Sequence, residues 1–308
     1  MITTVCMNPA LDRTVTVDSL QKGHVNRIRD SRTDVGGKGV NVAVVARRLR
    51  LDAQVIGVAG EDGLARIQEA MDAEGVRHAF LPVEGSVRVN TKVVSLDGSG
   101  VTELNESGPV MSAETLAEFF ALAREKAQGS DAVVITGSLP PGCPAGTYRE
   151  LICALHGTRC ILDVGGAELV LGVAAKPFLV KPNHHELAAA LRTELKTMED
   201  VRRGAQSLVD AGAENVVVSM GKDGALYVGA EGAFYAPEIP VEVHSTVGAG
   251  DALVGGLLYG LTKYGTMREA FRCGVAAGTA SVMTEGTQLV RPEDFHRLLG
   301  QVRIEDLK

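Results

Sequence analysis

Along most of this chain, short apolar runs alternate with longer stretches in which apolar residues recur at helical spacing. The first run, residues 2–7, ends at Asn8-Pro9, a dipeptide that breaks a strand. Similar runs at 53–58, 131–136, 160–163, 178–181 and 215–219 read as buried strands. Residues 42–49, 62–74 and 111–128 carry the helical period, and residues 253–264 predict a long apolar helix. From about residue 110 onward strands and helices alternate, as crossover units of a parallel sheet with helices on both faces do.

Two regions break that pattern. Residues 13–18 (RTVTVD) and 87–96 (VRVNTKVVSL) alternate polar and β-branched side chains, the signature of half-exposed strands. Residues 25–35 hold mixed charge and can supply another such strand, while 101–104 follows an Asp97-Gly98-Ser99-Gly100 turn and closes a hairpin. These strands are too polar for the buried sheet and predict a separate small sheet over one end of the core. No linker, repeat or low-complexity tract appears. The expectation is one domain over residues 1–308, with lid strands inserted at about 12–35 and 86–106.

Composition narrows the classes. The chain has 308 residues, 45% hydrophobic and 22% charged, and a net charge of −7. No run of Lys and Arg forms a basic arm, so no nucleic-acid partner is expected, and an anionic ligand would need local positive charge. The N-terminus has no basic start and no apolar run of about 20 residues occurs, so neither a signal peptide nor a membrane span is expected. Five cysteines without a C-x-x-C pair fit a reduced, cytoplasmic protein in which thiols fill the core.

In a parallel sheet, ligands collect where strands end at their C-termini. The loops after the strands, at Asn8-Pro9, Gly137-Ser138, Lys181-Pro182-Asn183, Ser219-Met220-Gly221 and Thr246-Val247-Gly248, are all Gly-, Pro- or polar-rich. With residues 36–39 facing them, they predict a cleft on one edge. The most informative stretch is 245–252 (STVGAGDA). Gly248 and Gly250 let a ligand approach the backbone. The first N–H groups of the helix that follows have no partner inside it, and its dipole makes that end positive, so an anion would be held there. Asp251 sits in the same turn, close enough to take a proton from an attacking hydroxyl. A base beside an anion cradle suggests phosphoryl transfer, though a Gly-rich turn before an ordinary capped helix has the same residues.

Other candidates stay double-edged. Asn183 and Glu186 share a helix face and offer oxygens to Mg²⁺, yet the same spacing makes a capping box. His184 and His185 are adjacent and diverge on a helix, which suits Zn²⁺ poorly. Residues 219–225 read equally as a hairpin turn and a nucleotide-lining loop. Lys38, Arg27 and Arg88 fall on the lid or its junction, either as solvated charges or, for Arg88, as a fork for a phosphate. Asp12 can accept from sugar hydroxyls or stabilise its own turn. There is no G-x-x-x-x-G-K-[ST], and Leu253 spoils a G-x-G-x-x-G.

Taken in order, residues 5–12 (VCMNPALD), 36–41 (GGKGVN), 136–142 (TGSLPPG), 181–187 (KPNHHEL), 216–225 (VVVSMGKDGA) and 245–252 resemble the motifs of the ribokinase-like PfkB carbohydrate kinases, over nearly the whole chain. The resemblance implies a three-layer α/β/α core with a mostly parallel central sheet plus a small β-sheet lid through which two subunits often pair as a homodimer. It implies ATP and Mg²⁺, with Asp251 as base and the N–H groups of Gly248, Ala249 and Gly250 as the hole for the transferred phosphoryl group. Asn183 and Glu186 match the N-x-x-E motif that organises Mg²⁺. Lys181, Ser219, Gly221 and Gly224 would line the ATP site together with Asn183. Asp12, Gly37 and Asn41 would bind sugar hydroxyls, Lys38, Arg88 and Arg27 the phosphate already on the sugar, and Ser138 the sugar end. Motif details are most similar to the members that convert fructose 1-phosphate to fructose 1,6-bisphosphate, with tagatose 6-phosphate as the alternative substrate. A non-catalytic sugar-phosphate sensor would be expected to lack one of these groups. Ala252 stands where many relatives have Ser, and Thr284 and Glu285 where Asn or Gln often lies near adenine.

Overall fold

A computed structural model of the chain describes residues 1–284, 286 and 288–307. The N-terminal half runs β1 (Ile2–Cys6), β2 (Ala10–Val17), β3 (Ile28–Gly36), α1 (Lys38–Arg48), β4 (Ala53–Gly60), α2 (Glu61–Ala73), β5 (Arg77–Ser86), β6 (Arg88–Ser95), β7 (Gly100–Asn105), α3 (Ala113–Ala127) and β8 (Ala132–Thr136). It continues through α4 (Thr147–Ala154), β9 (Arg159–Asp163), α5 (Gly166–Val173), β10 (Leu179–Val180), α6 (His184–Leu191), α7 (Met198–Asp210) and β11 (Asn215–Ser219). The last elements are β12 (Ala225–Gly229), β13 (Gly232–Ala236), α8 (Ala249–Tyr264), α9 (Met267–Val282), α10 (Pro292–Leu299) and β14 (Glu305–Asp306).

Among the described residues the strands form two sheets. The large one has the order β14-β13-β12-β11-β10-β9-β8-β1-β4-β5, and the small one β3-β2-β6-β7. From β11 to β5 every pairing in the large sheet is parallel, and β12, β13 and β14 add an antiparallel edge. Strand alternation sorts side chains into two cores. In β1, β4 and β8, Ile2, Val55 and Val134 join one core with α1, α2, α8, α9 and α10, whereas Val5, Ile56 and Ile135 join the other with α3 to α7. The result is a three-layer α/β/α core with a mostly parallel sheet, and a separate small sheet, as the pattern of runs implies.

The structure adds detail to the pattern-based reading and departs from it in places. β5 lies outside the expected strands because it is an edge strand with few buried positions and so lacks an apolar run. Residues 219–225 form the hairpin turn of the two readings and also border a cavity described below. β11 and β12 pair antiparallel around a single 3₁₀ turn, Gly221–Asp223. Cys6, Cys160 and Cys273 are buried, but Cys143 is half-buried and Cys153 exposed, so the core-filling role does not extend to Cys153. No helix among the described residues is long and apolar enough to cross a membrane.

Helices α8 and α9 pack closely because small residues line the seam. A Cβ on Gly256 would sit 2.4 Å from the Cys273 carbonyl oxygen and 2.7 Å from Ala277 Cβ. Gly256→Ala should gain about 1 kcal/mol of helix propensity but lose about 1–3 kcal/mol to overpacking against a backbone that cannot yield locally. The expected outcome is a net loss of stability, read as a lower urea midpoint with unchanged slope. An equal or higher midpoint would show that the seam is looser than its geometry.

Candidate active site

The parallel strands all point their C-terminal ends to one side, and the polar loops collect there. A cavity of about 470 Å³ opens between that edge and the small sheet. From the core side it is lined by Gly37, Lys38, Asn41, Lys181, Asn183, Glu186, Ser219, Val247, Gly248, Gly250 and Asp251. The small sheet contributes Asp12 from β2, Arg88, Asn90 and Lys92 from β6, and Glu103 and Asn105 from β7. These are alternate residues on paired strands, since Asp12 lies beside Asn90, Asn90 beside Asn105, and Lys92 beside Glu103. One face of the small sheet therefore forms the cavity roof. The pleat carries this signal in the sequence: the alternation that marks Arg88 marks Asn90 and Lys92 equally.

Gly248 is the N-cap of α8 in the left-handed region, φ 78°, where a side chain would be strained, and it makes no side-chain cap. Ala249 N–H reaches back to Thr246 O at 3.4 Å, and Ala252 N–H donates to Gly248 O at 2.8 Å. Asp251 in the first turn is 5% exposed, and its Oδ2 accepts from Asn41 Nδ2 at 2.7 Å. Burial pushes the Asp251 carboxyl up to about 7, with the nearby Asp163 charge adding to the rise and Lys38, Asn41 and Lys181 opposing it.

Asp163 ends β9 and is fully buried. Its Oδ1 lies 3.0 Å from Lys181 Nζ and 3.6 Å from Lys38 Nζ, and its Oδ2 accepts from Thr136 Oγ1 at 3.2 Å. Burial pushes this carboxyl up, but the two ammonium charges outweigh that and hold it below the ordinary range. Lys38 in turn is held above its ordinary value by Asp163, against burial, with help from Asp251 and Glu186. Short-range patterns do not reveal Asp163, because as the last residue of an apolar run it resembles any strand end.

Asn183 and Glu186 close a capping box on α6: Asn183 Oδ1 accepts from Glu186 N–H and Glu186 Oε2 from Asn183 N–H, both at 2.8 Å. Glu186 Oε1 stays on the cavity side, 3.9 Å from Lys38 Nζ. One carboxylate oxygen and an amide are a sparse donor set, which fits Mg²⁺, an ion that keeps most of its waters and rides on phosphates. His184 Nε2 is bonded to Leu195 O at 2.9 Å, and no cluster of three His, Cys, Asp or Glu with metal-holding geometry occurs among the described residues.

At the roof, Asp12 Oδ1 accepts from Asn90 Nδ2 at 3.0 Å, and Asp12 Oδ2 occupies the space beside Gly36 where a Cβ would come within 2.2 Å. Arg88 Nε donates to Asn8 O at 3.2 Å. Ser138 is exposed, 3.5 Å from Asn8 Nδ2, and lies just outside the cavity lining. Arg27 is further off. It precedes Ile28, which pairs with Val17 at the far end of the small sheet, whereas the cavity end of β3 is Gly36 beside Ala10.

A second cavity of about 350 Å³ adjoins the first, and the two share Ser219 and Gly250. Gly221, Gly224 and Ala249 line it together with an apolar wall of Ile239, Val241, Leu253, Val275 and Val282. That wall lies outside the sequence-marked residues, since apolar lining reads like core. Thr284 is buried and its Oγ1 bonds to Ser281 O at 2.8 Å and to Gln288 O, while Glu285 lies outside the described residues.

A model of the pfkB family carbohydrate kinases matches residues 5–294. The 1-phosphofructokinase of Bacillus subtilis is 35% identical over 309 residues, covering 100% of both chains. That of Rhodobacter capsulatus is 38% identical over 310 residues, covering 99% of this chain and 98% of its own. Among solved structures, phosphofructokinase-2 from Escherichia coli in complex with substrates and products superposes with a TM-score of 0.91 at 32% identity, covering 97% of this chain and 98% of that one.

The elevated Asp251 carboxyl has a stability consequence. Its folded value of about 7 exceeds the ordinary 3.8, so the folded protein binds this proton more tightly than the unfolded chain does. Stability is therefore lost as pH rises between those values. Asp251→Asn removes the charge and keeps the acceptor for Asn41. The variant should match the parent only below about pH 3.8, exceed it by roughly 1–2 kcal/mol near pH 5 and by roughly 3–4 kcal/mol at pH 8.5. Urea melts across these pH values check this, and parallel curves for both proteins would refute it.

Proposed function

Because the chain belongs to the pfkB family of carbohydrate kinases, ATP-dependent enzymes, we propose that it converts fructose 1-phosphate to fructose 1,6-bisphosphate. Tagatose 6-phosphate is the alternative acceptor, since both products are ketose bisphosphates and one cleft takes either by reversing the sugar. The observation that carries this reading is the cavity between the core and the small sheet, with a buried carboxylate on one side and cations on the other. Asp251 and the start of α8 line its core side, and Arg88 and Lys92 line the small-sheet side.

In this reading Asp12, Gly37 and Asn41 take the sugar hydroxyls, with Ser138 at the rim. Arg88 meets the phosphate already present, and Arg27 would reach it only through movement of the lid. The apolar second cavity takes the purine of ATP, with Gly221 and Gly224 beside it. Ser219, Lys181 and Asn183 then follow the polyphosphate past Gly250. Asn183 and Glu186 would hold Mg²⁺, which supplies charge neutralisation to the phosphates. The sugar hydroxyl attacks the terminal phosphorus in line as the bond to the ADP oxygen breaks. Its proton passes to Asp251, and the N–H groups of Gly248, Ala249 and Gly250 meet the charge on the transferred group. At neutral pH a carboxyl near 7 is partly ionised and matched to that proton transfer.

The small sheet acts as a lid, within a single domain, and its outer strand supports a homodimer. All six residues of β7 are exposed, Val101 and Leu104 among them, and an edge strand of this kind presents unpaired backbone groups to a second copy. Free thiols support a cytoplasmic location.

The test is coupled ADP release across fructose 1-phosphate, fructose 6-phosphate, tagatose 6-phosphate and unphosphorylated sugars. Fructose 1-phosphate should give the highest kcat/KM, and no ADP release above background with any of them would refute the assignment. In the same assay Asp251→Asn should lower kcat by about 10³-fold or more while ATP still binds. The parent's acid limb, with an apparent pKa near 7, should vanish in the residual activity.

A further inference from the structure

Positive charge in the cleft is divided into two stations. Arg88 belongs to the roof, bonded to Asn8 and electrostatically coupled to Asp12. Lys38 follows Gly37 at the start of α1 and belongs to the floor. Its neighbours are Asp163 at 3.6 Å and Glu186 at 3.9 Å, and the carboxylates that act on its charge are Asp163, Asp251 and Glu186. Lys181 shares Asp163 Oδ1 and abuts the anion loop, 3.4 Å from where a Cβ on Gly250 would be.

The two lysines are held differently. Lys181 is 3% exposed with its ion pair at hydrogen-bond distance, so it is fixed. Lys38 is 38% exposed, and both of its contacts exceed the roughly 3.2 Å reach of a good hydrogen bond. A loosely held ammonium on a flexible stem can leave two partial partners for one stronger one. The partner that arrives here is a phosphoryl group whose three outer oxygens carry the charge of the transition state.

We propose that Lys38 is a catalytic residue that contacts the phosphoryl group in flight, not the phosphate the sugar brings with it. It is the movable cation of the site, parked between Asp163 and Glu186 until the terminal phosphoryl of ATP comes within reach. It then follows that group from the leaving ADP oxygen to the sugar oxygen, while the alcohol proton goes to Asp251. Atoms and charge balance as in the reaction above, because Lys38 gives up no proton.

This inference rests on the sugar-phosphate kinase reading, and its test separates the two. With the sugar phosphate that the parent turns over fastest, Lys38→Met should lower kcat by about 10²–10³-fold, the usual loss for one charge-stabilising donor, with KM for that sugar changed less than about 3-fold. Lys38→Arg should recover part of kcat. Arg88→Ala should show the reverse split, a KM raised at least about 10-fold with a smaller loss in kcat. Calorimetry adds a readout that a purely structural role would not move: Lys38→Met should weaken binding of the bisphosphate product while leaving the monophosphate substrate unchanged. If Lys38→Met, or Lys38→Gln should the first variant not fold, raises KM and weakens both sugars alike, Lys38 serves the resident phosphate and the proposal is overturned. Near-parental kcat in either variant overturns it too. A parent that releases no ADP refutes the kinase reading instead.

Discussion

A fully buried carboxylate shared by two ammonium groups sits at the centre of this molecule. Taking Asp163 and Lys181 out of water costs several kcal/mol per ion, and their attraction returns only part of that unless the geometry is good. Lys181 at 3.0 Å, the hydroxyl of Thr136 on the second oxygen and the nearby Lys38 return part of that cost, although no well-angled hydrogen bond reaches Asp163 Oδ1 among the described residues. An apolar pair of similar volume would serve stability as well or better. What the ion pair does provide is a fixed reference for charge: it presses Lys181 against the anion loop, places Lys38 opposite Glu186, and sets a negative charge near Asp251.

Sheet topology makes this possible. Asp163 ends β9, Lys181 follows β10 and Thr136 ends β8, three neighbouring parallel strands. Parallel pairing aligns their C-terminal ends, so Lys181 meets Asp163 at 3.0 Å and Thr136 meets Asp163 at 3.2 Å across strands far apart in sequence. The proposed base comes from elsewhere. Asp251 is carried by α8, which packs against α1, and Asn41 on α1 holds its carboxylate. The small sheet then closes the opposite side with one polar face. Core, helix start and roof thus each supply one part of the cleft, and none holds a complete site.

The sequence was most informative where local rules decide. Apolar runs and alternation located every parallel strand but β5 and separated the polar sheet from the core, because side-chain period follows directly from backbone geometry. The glycine-rich entry into α8 was legible for the same reason. Legibility failed where meaning depends on contacts distant in the chain. Asp163 lacks any local mark. Asn90 and Lys92 were visible in the alternation, but only pairing with β2 and β7 shows which face they take. Asn183 and Glu186 read as cap or ligand, and the structure makes the cap while leaving one carboxylate oxygen on the cavity. Arg27 and Lys38 looked alike as lid-region cations, yet the antiparallel register sends Arg27 to the far end of the small sheet and α1 carries Lys38 to the floor.

The same electrostatics that suit the site to chemistry work against the fold. Burial of Asp251 beside Asp163 opposes ionisation, and the rise toward 7 measures how strongly. In the proposed reaction, a carboxylate that ionised as easily as an exposed aspartate would cost the fold less but would be a weaker base toward the alcohol proton. Lys38 and Lys181 limit the penalty, because both charges oppose the rise. The site therefore depends on a balance: enough burial and like charge to strengthen the base, and enough nearby cation to keep it ionised. Asp163 controls both sides of that balance, since the one carboxylate that repels Asp251 also anchors the two lysines that attract it.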